Sequence, residues 1–107
     1  MFGIFKSLFE GTDNLQMMEA VKNGATLIDV RTQREYAAGS VKGAVNIPLN
    51  RLSGQLGKLK KDSSIVIFCA SGIRSGRAKS ILTLNGFENV INGGSWRSVR
   101  SIIEKNK

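Results

Sequence analysis

Ser63-Ser64-Ile65-Val66-Ile67-Phe68-Cys69-Ala70-Ser71-Gly72-Ile73-Arg74-Ser75 is the stretch on which the fold turns. Residues 63–68 end in an unbroken apolar, largely β-branched run, which suits a strand at the centre of a sheet covered on both faces. A six-residue segment follows, and the pattern from Ser75 to about Leu84 reads as a helix that Asn85-Gly86 ends.

The same alternation extends outward. Upstream, LQMMEAVKNG reads as a helix of about nine residues closed by Gly24, a favourable residue just past a helix end. ATLIDV, residues 25–30, reads as a buried strand. Thr32-Gln33-Arg34-Glu35 fits a capping box, with Thr32 at N-cap and Glu35 at N3. The helix it opens is short and ends near Gly39. Ala44 to Ile47 looks like a short strand stopped by Pro48, and Leu52, Leu56 and Leu59 suggest a helix weakened by Gly54 and Gly57. Downstream, Phe87 to Ile91 reads as a strand, and Gly93-Gly94 as a turn into a last helix over residues 95–104. The reading is α/β: a three-layer single domain with a mostly parallel central β-sheet flanked by helices. Sites in such sheets lie beyond the carboxyl ends of the strands, where Cys69 falls.

The totals narrow the chemistry. A chain of 107 residues suits one domain, and 41% apolar with 22% charged residues is an ordinary globular balance. There is no histidine, which removes Ser-His-Asp and Cys-His catalysis and histidine metal sites. A single cysteine makes no internal disulfide and fits a reducing, cytoplasmic setting. Neither a metal nor a cofactor is expected. The net charge of +8 favours anionic partners. No apolar run approaches the ~20 residues of a membrane span, and MFGIFKSLFEG lacks the basic start, long apolar core and small-residue site of a secretion signal. Residues 1–11 are read as an N-terminal apolar helical extension, with Phe2, Ile4, Phe5, Leu8 and Phe9 at helical spacing. It either docks on its own domain, residues 12–107, or contacts a partner or a membrane.

Cys69 is the candidate nucleophile. A thiol reacts as the thiolate, and an ordinary cysteine with a pKa of about 8.5 is only a few per cent ionised at neutral pH. Inward-pointing N–H groups of a tight loop, the start of a helix and the Arg74 charge could all favour the anion. Lowering the pKa to about 6.5 needs roughly 2.7 kcal/mol of preferential thiolate stabilisation. Gly72 suits the sharp bend of such a loop, because glycine accepts positive φ. The competing reading is an inert cysteine packed at a strand end, since free cysteine is among the most buried residue types.

Cys-x-x-Gly-x-Arg-Ser after a buried strand resembles the active-site loop of rhodanese-domain sulfurtransferases. Further pieces stand in the same order as in that family: Leu27-Ile28-Asp29-Val30-Arg31, Glu35-Tyr36-Ala37-Ala38-Gly39, Gly43-Ala44-Val45-Asn46-Ile47-Pro48, Gly86-Phe87 and Gly93-Gly94-Ser95-Trp96. The resemblance covers roughly residues 13–104. It implies a thiosulfate sulfurtransferase-like enzyme in which Cys69 takes a sulfane sulfur from a small anionic donor, thiosulfate or a persulfide. The sulfur then passes to a thiol or cyanide. Ala70, Ser71, Gly72, Ile73, Arg74 and Ser75 would bind the substrate, chiefly through backbone N–H groups and the Arg74 charge. One departure is Ser40, where the family commonly has histidine. Asp29 reads as a structural group at a strand end. Arg31 is open between an ion pair and substrate steering.

Three rivals compete with this reading. A cysteine phosphatase or arsenate reductase also sets a thiolate and an arginine in an anion loop. The phosphatase signature, however, has five residues between them, and only four separate Cys69 from Arg74. A non-catalytic rhodanese-type protein-binding module would need neither residue. Specific nucleic-acid binding is not expected, because aromatics are few and no recognised motif appears; the basic residues read as a solvated face that draws in anions.

Overall fold

The computed structural model describes residues 14–105. The apolar extension expected over residues 1–11 lies outside the described residues. The elements are α1 (residues 14–22), β1 (Thr26–Asp29), α2 (Gln33–Ala38), β2 (Val45–Asn46) and α3 (Leu49–Gln55). A single 3-10 turn, Leu56–Lys58, precedes β3 (Ile65–Cys69), α4 (Ile73–Leu84), β4 (Val90–Ser95) and α5 (Trp96–Lys105). The four strands run parallel in the order β2-β1-β3-β4. Parallel neighbours need crossover connections, so all four carboxyl ends gather at one rim of the sheet.

Strand alternation divides the core. Ile65, Ile67 and Cys69 of β3 join Ile28 and Val90 on one face, where Leu52 of α3 and Ala78 and Leu82 of α4 cover them, with Phe87 from the following loop. Val66 and Phe68 turn to the other face, against Met17 of α1 and Trp96 and Val99 of α5. Every residue of β3 is buried, as its apolar run requires. The expected three layers are therefore observed, with the sheet between two helical coats.

The boundaries differ from the sequence reading in instructive ways. β3 begins at Ile65 and includes Cys69, so the cysteine is the last residue of the strand itself. α4 begins at Ile73, because Gly72 at φ +100 reverses the chain tightly enough for the helix to start at once. Leu59 lies beyond the short α3 and its 3-10 turn, yet still packs on the core. The last strand is displaced most. Phe87 is a loop residue plugging the core, and the strand runs through Gly93-Gly94, with a register shift opposite Ile67 and Phe68. The two glycines are thus a strand segment, and Gly93 has a packing reason. A Cβ there would stand 2.7 Å from a methyl of Val99 and 3.2 Å from both Met17 Sδ and Val66 Cγ1.

The substitution Gly93→Ala is accordingly expected to overpack the α5 face and lower the unfolding free energy by about 1–3 kcal/mol. Urea denaturation checks this, with Gly57→Ala, where nothing lies within 4 Å of the added methyl, as the comparison.

Candidate active site

The site sits where β3 delivers its last residue to the rim. Cys69 pairs in register with Ser95 of β4, and Phe68 before it with Asp29 of β1. Ala70 and Ser71 are exposed, Gly72 turns the chain, and Ile73 opens α4 with its side chain 70% exposed. The loop folds back on the sulfur. Gly72 N–H donates to Cys69 Sγ at 2.9 Å and Ser75 N–H at 3.4 Å, while Ser75 Oγ stands 3.5 Å away. Ser75 is itself buried.

Cys69 is 0% exposed, as an inert packing cysteine would be. The hydrogen bonds set it apart. Burial alone would push its thiol pKa up. Donation from the Ser75 side chain and from the backbone of Ser75, Ser71 and Gly72 outweighs that, and the net pKa lies below that of an ordinary thiol. The stabilisation expected from the loop backbone is therefore present. Arg74 plays a smaller part than its charge suggested, because its guanidinium is committed to Glu35. Nη1 meets Oε1 at 2.7 Å and Nη2 meets Oε2 at 3.0 Å, a bidentate pair joining α4 to α2. Arg74 feels Cys69 more weakly than it feels Glu35. Three of its five N–H donors lie outside that pair.

Glu35 does two jobs. It completes the capping box on Thr32, as its spacing predicted, and it holds Arg74. Hydrogen bonding to Arg74 is the main reason its carboxyl is lowered from 4.5 to about 2, against a burial effect in the other direction; Thr32 assists. Nothing in the spacing of Glu35 and Arg74 along the chain signalled this pair.

The β1 side of the rim is built on Asp29. Its carboxylate, fully buried, accepts from Arg31 N–H at 2.9 Å, from Arg31 Nη2 at 2.7 Å and from Ser40 Oγ at 2.7 Å. Arg31 also donates to the Gly39 carbonyl at 2.6 Å and stacks 4.8 Å from the centre of the Trp96 ring. Arg31 is thus committed to a buried ion pair. Ser40, at the position where the resemblance leads one to look for histidine, keeps a hydrogen bond to Asp29.

Asn92 belongs to the site and was not singled out from sequence. Its Oδ1 accepts from Ser75 Oγ at 2.7 Å and from Gly94 N–H at 3.0 Å; its Nδ2 donates to the Gly72 carbonyl at 3.2 Å. It ties the loop to β4. Ser75 Oγ has one proton and two claimants. With a neutral thiol the proton goes to Asn92, and Ser75 accepts from S–H. With a thiolate the hydroxyl gains by turning to sulfur, and Gly94 keeps Asn92 Oδ1 satisfied. A lone asparagine in a poorly placed strand carries no sequence signal for such a role.

A parallel α/β domain with one hydrogen-bonded cysteine at the carboxyl end of a central strand defines a class of cysteine-centred α/β domains. The comparisons place it further. The family model described as Rhodanese-like domain matches residues 12–99. Thiosulfate sulfurtransferase PspE of Escherichia coli is 34% identical over 74 residues, covering 67% of this chain and 71% of that protein. The human single-domain sulfurtransferase TSTD1 superposes with a TM-score of 0.68 at 30% identity, over 73% of this chain and 82% of the other. The tRNA uridine(34) hydroxylase of Cronobacter sakazakii is 33% identical over 95% of this chain, but the match spans only 32% of that larger protein. The chain likewise spans about half, 54%, of the Bacillus subtilis protein YqhL, at 38% identity over 64% of this chain. The chain belongs to the rhodanese-like domain family.

Two outcomes follow from these environments. Iodoacetamide alkylation of Cys69 is expected to titrate below the pH of a free thiol, and Ser75→Ala to move that midpoint up; an unmoved midpoint would mean that the hydroxyl stays on Asn92. Glu35 has a folded pKa below its unfolded one, so its contribution to stability is fully present above pH 4.5 and is lost as pH falls toward about 2. Acid unfolding of Glu35→Gln should lack that component.

Proposed function

We propose that this domain is a sulfurtransferase that carries a sulfane sulfur on Cys69. The observation that carries the reading is the Sγ of Cys69 held by the Gly72 and Ser75 N–H groups in a histidine-free loop. The Cys69 thiolate attacks the outer sulfur of thiosulfate or of a persulfide. The donor's S–S bond breaks, sulfite or a thiolate departs with the bonding pair, and Cys69 keeps the sulfur as a persulfide anion. Cyanide or a thiolate then attacks that outer sulfur, and Cys69 leaves as the thiolate it was. No external oxidant or reductant enters, and the two displacements give ping-pong kinetics.

The loop N–H groups serve both states of the sulfur. Gly72 and Ser75 hold the resting anion. The N–H groups of Ile73 and Arg74 lie in the first turn of α4, which has no intrahelical partners for them, and receive the outer sulfur of the persulfide. Ala70 and Ser71 keep the approach small and open. Arg74, fixed by Glu35, holds the donor anion with its remaining donors.

Intact-mass measurement after thiosulfate treatment should show a gain of one sulfur atom, absent in Cys69→Ser. No gain in the parent protein sinks the proposal. Cys69→Ala should lose all thiosulfate:cyanide turnover. Arg74→Ala should raise KM for thiosulfate about tenfold with a smaller change in kcat, which is the pattern of a lost binding contact.

A further inference from the structure

The arginines of the chain are gathered toward one end of the sheet. All seven arginines of the sequence lie on the carboxyl-end rim of the sheet or in the helices that leave it. Arg31 follows β1 directly. Arg34 is in α2, Arg51 in the first turn of α3, Arg74 and Arg77 at the start of α4, and Arg97 and Arg100 at the start of α5. Only two described carboxylates stand at this end, and both are occupied: Asp29 by Arg31 and Glu35 by Arg74. Arg34, Arg51, Arg77, Arg97 and Arg100 are exposed, and none has a carboxylate partner among the described residues. The remaining described acids, Glu19, Asp62, Glu88 and Glu104, fall toward the amino ends of the strands. Lys22, Lys58, Lys60, Lys61 and Lys105 lie there too, while Lys42 is in the loop before β2 and Lys79 midway along α4.

Long-range attraction of a small anion does not distinguish arginine from lysine. Direct contact does. The guanidinium is planar, less strongly hydrated and shaped for two-point pairing with carboxylates; arginine is enriched in protein interfaces and lysine depleted. Two of the rim arginines are also held in place, Arg97 at 4.6 Å and Arg100 at 4.9 Å from the centre of the Trp96 ring. Fixing a long side chain before a partner arrives lowers the ordering penalty of binding. At the same rim stands an apolar side chain with no role toward a small anion: Ile73, 70% exposed, the first residue of α4 and four residues past Cys69.

We infer that this rim docks an acidic protein whose cysteine receives the sulfur from Cys69, with Ile73 as the apolar centre of the contact and the exposed arginines around it. The role given to the partner's cysteine rests on the sulfurtransferase reading; the sign of the partner's surface rests on the charge map alone. An RNA fits less well. The described aromatics at this end are Phe68, fully buried, Trp96, 7% exposed under three guanidinium groups, and Tyr36, half-buried with its hydroxyl bonded to the Ala44 carbonyl. None offers a free ring for a base to stack on.

The test uses three peptides of equal length in which one cysteine is flanked by glutamates, by serines or by lysines. Cys69 is first loaded with thiosulfate, excess donor is removed, and the single-turnover rate of sulfur transfer to each peptide is followed by mass. The glutamate peptide should react at least about tenfold faster than the lysine peptide at low ionic strength, and the gap should narrow with salt. Arg77→Glu with Arg97→Glu should abolish the preference. Lys58→Glu with Lys61→Glu, the same charge change at the opposite end, should leave it within about twofold. Equal rates for the three peptides, or equal effects of the two double variants, would overturn the proposal. In parallel, the same peptides with serine for cysteine are titrated calorimetrically. Charge-selective binding without loading would remove the sulfur role and keep the acidic-protein surface. Loading without charge selectivity would do the reverse. Binding of a structured RNA hairpin that persists at physiological salt and that the glutamate peptide cannot displace would replace the protein partner by RNA.

Discussion

The reactive end of the molecule depends on one buried carboxylate. Asp29 ends β1 with no exposure and takes both Arg31 and Ser40. Arg31 in turn reaches the Gly39 carbonyl at the end of α2 and the Trp96 ring at the start of α5. The pair thereby sets where α2 lies against the sheet. The position of α2 decides where Glu35 stands, and Glu35 holds Arg74 at the head of α4. Two ion pairs, linked through the Arg31–Gly39 hydrogen bond and α2, run from the end of one strand to the helix that begins beside Cys69. Removing one member of a buried pair leaves an uncompensated charge, typically at about 3–5 kcal/mol. The Asp29–Arg31 pair survives burial because no buried side-chain polar atom among the described residues is left without a partner.

That framework explains how a thiolate is favoured without histidine. A buried sulfur anion loses hydration, which acts against ionisation and is the largest single influence on Cys69. The loop restores the lost hydration with N–H groups fixed by backbone geometry, which need no reorganisation when charge appears. Gly72 contributes twice, by adopting φ +100 and by presenting the 2.9 Å N–H. Asn92 fastens the loop from the β4 side through the Gly72 carbonyl. Arg74 contributes less to Cys69, since its charge is shared with Glu35.

The fold was largely legible in the sequence, because its main signals are local. The apolar run of β3, the capping box at Thr32 and the Asn85-Gly86 stop are each read within a few residues, and each element formed where those signals lie. The placement of Cys69 followed from the strand before it. β4 was misplaced because Gly93-Gly94 carries two meanings. Adjacent glycines usually mark a turn; here Gly93 is required by close packing against Val99, Met17 and Val66, residues distant in sequence or on the next element. The same limit hid Asn92 and the Glu35–Arg74 pair, whose partners lie 17 and 39 positions away along the chain. Arg31 could not be assigned for a similar reason: whether a guanidinium faces a carboxylate or a substrate depends on what the tertiary fold places opposite.

The charge sorting reframes what a strongly basic composition means. A net charge of +8 spread evenly would favour every polyanion alike. Here most of the described lysines and four of the six described acids lie toward one end, where their fields partly cancel. The arginines collect at the other, around a sulfur that is wholly enclosed. An enclosed nucleophile of this kind suits a donor small enough to enter the loop. A protein thiol must instead be brought to the loop and held long enough to attack, and under the proposal the exposed arginines and Ile73 would supply that hold. On the proposed sulfurtransferase reading the two half-reactions make different demands on one rim: the N–H cradle and Arg74 would meet the first, and the arginines beyond them would meet the second.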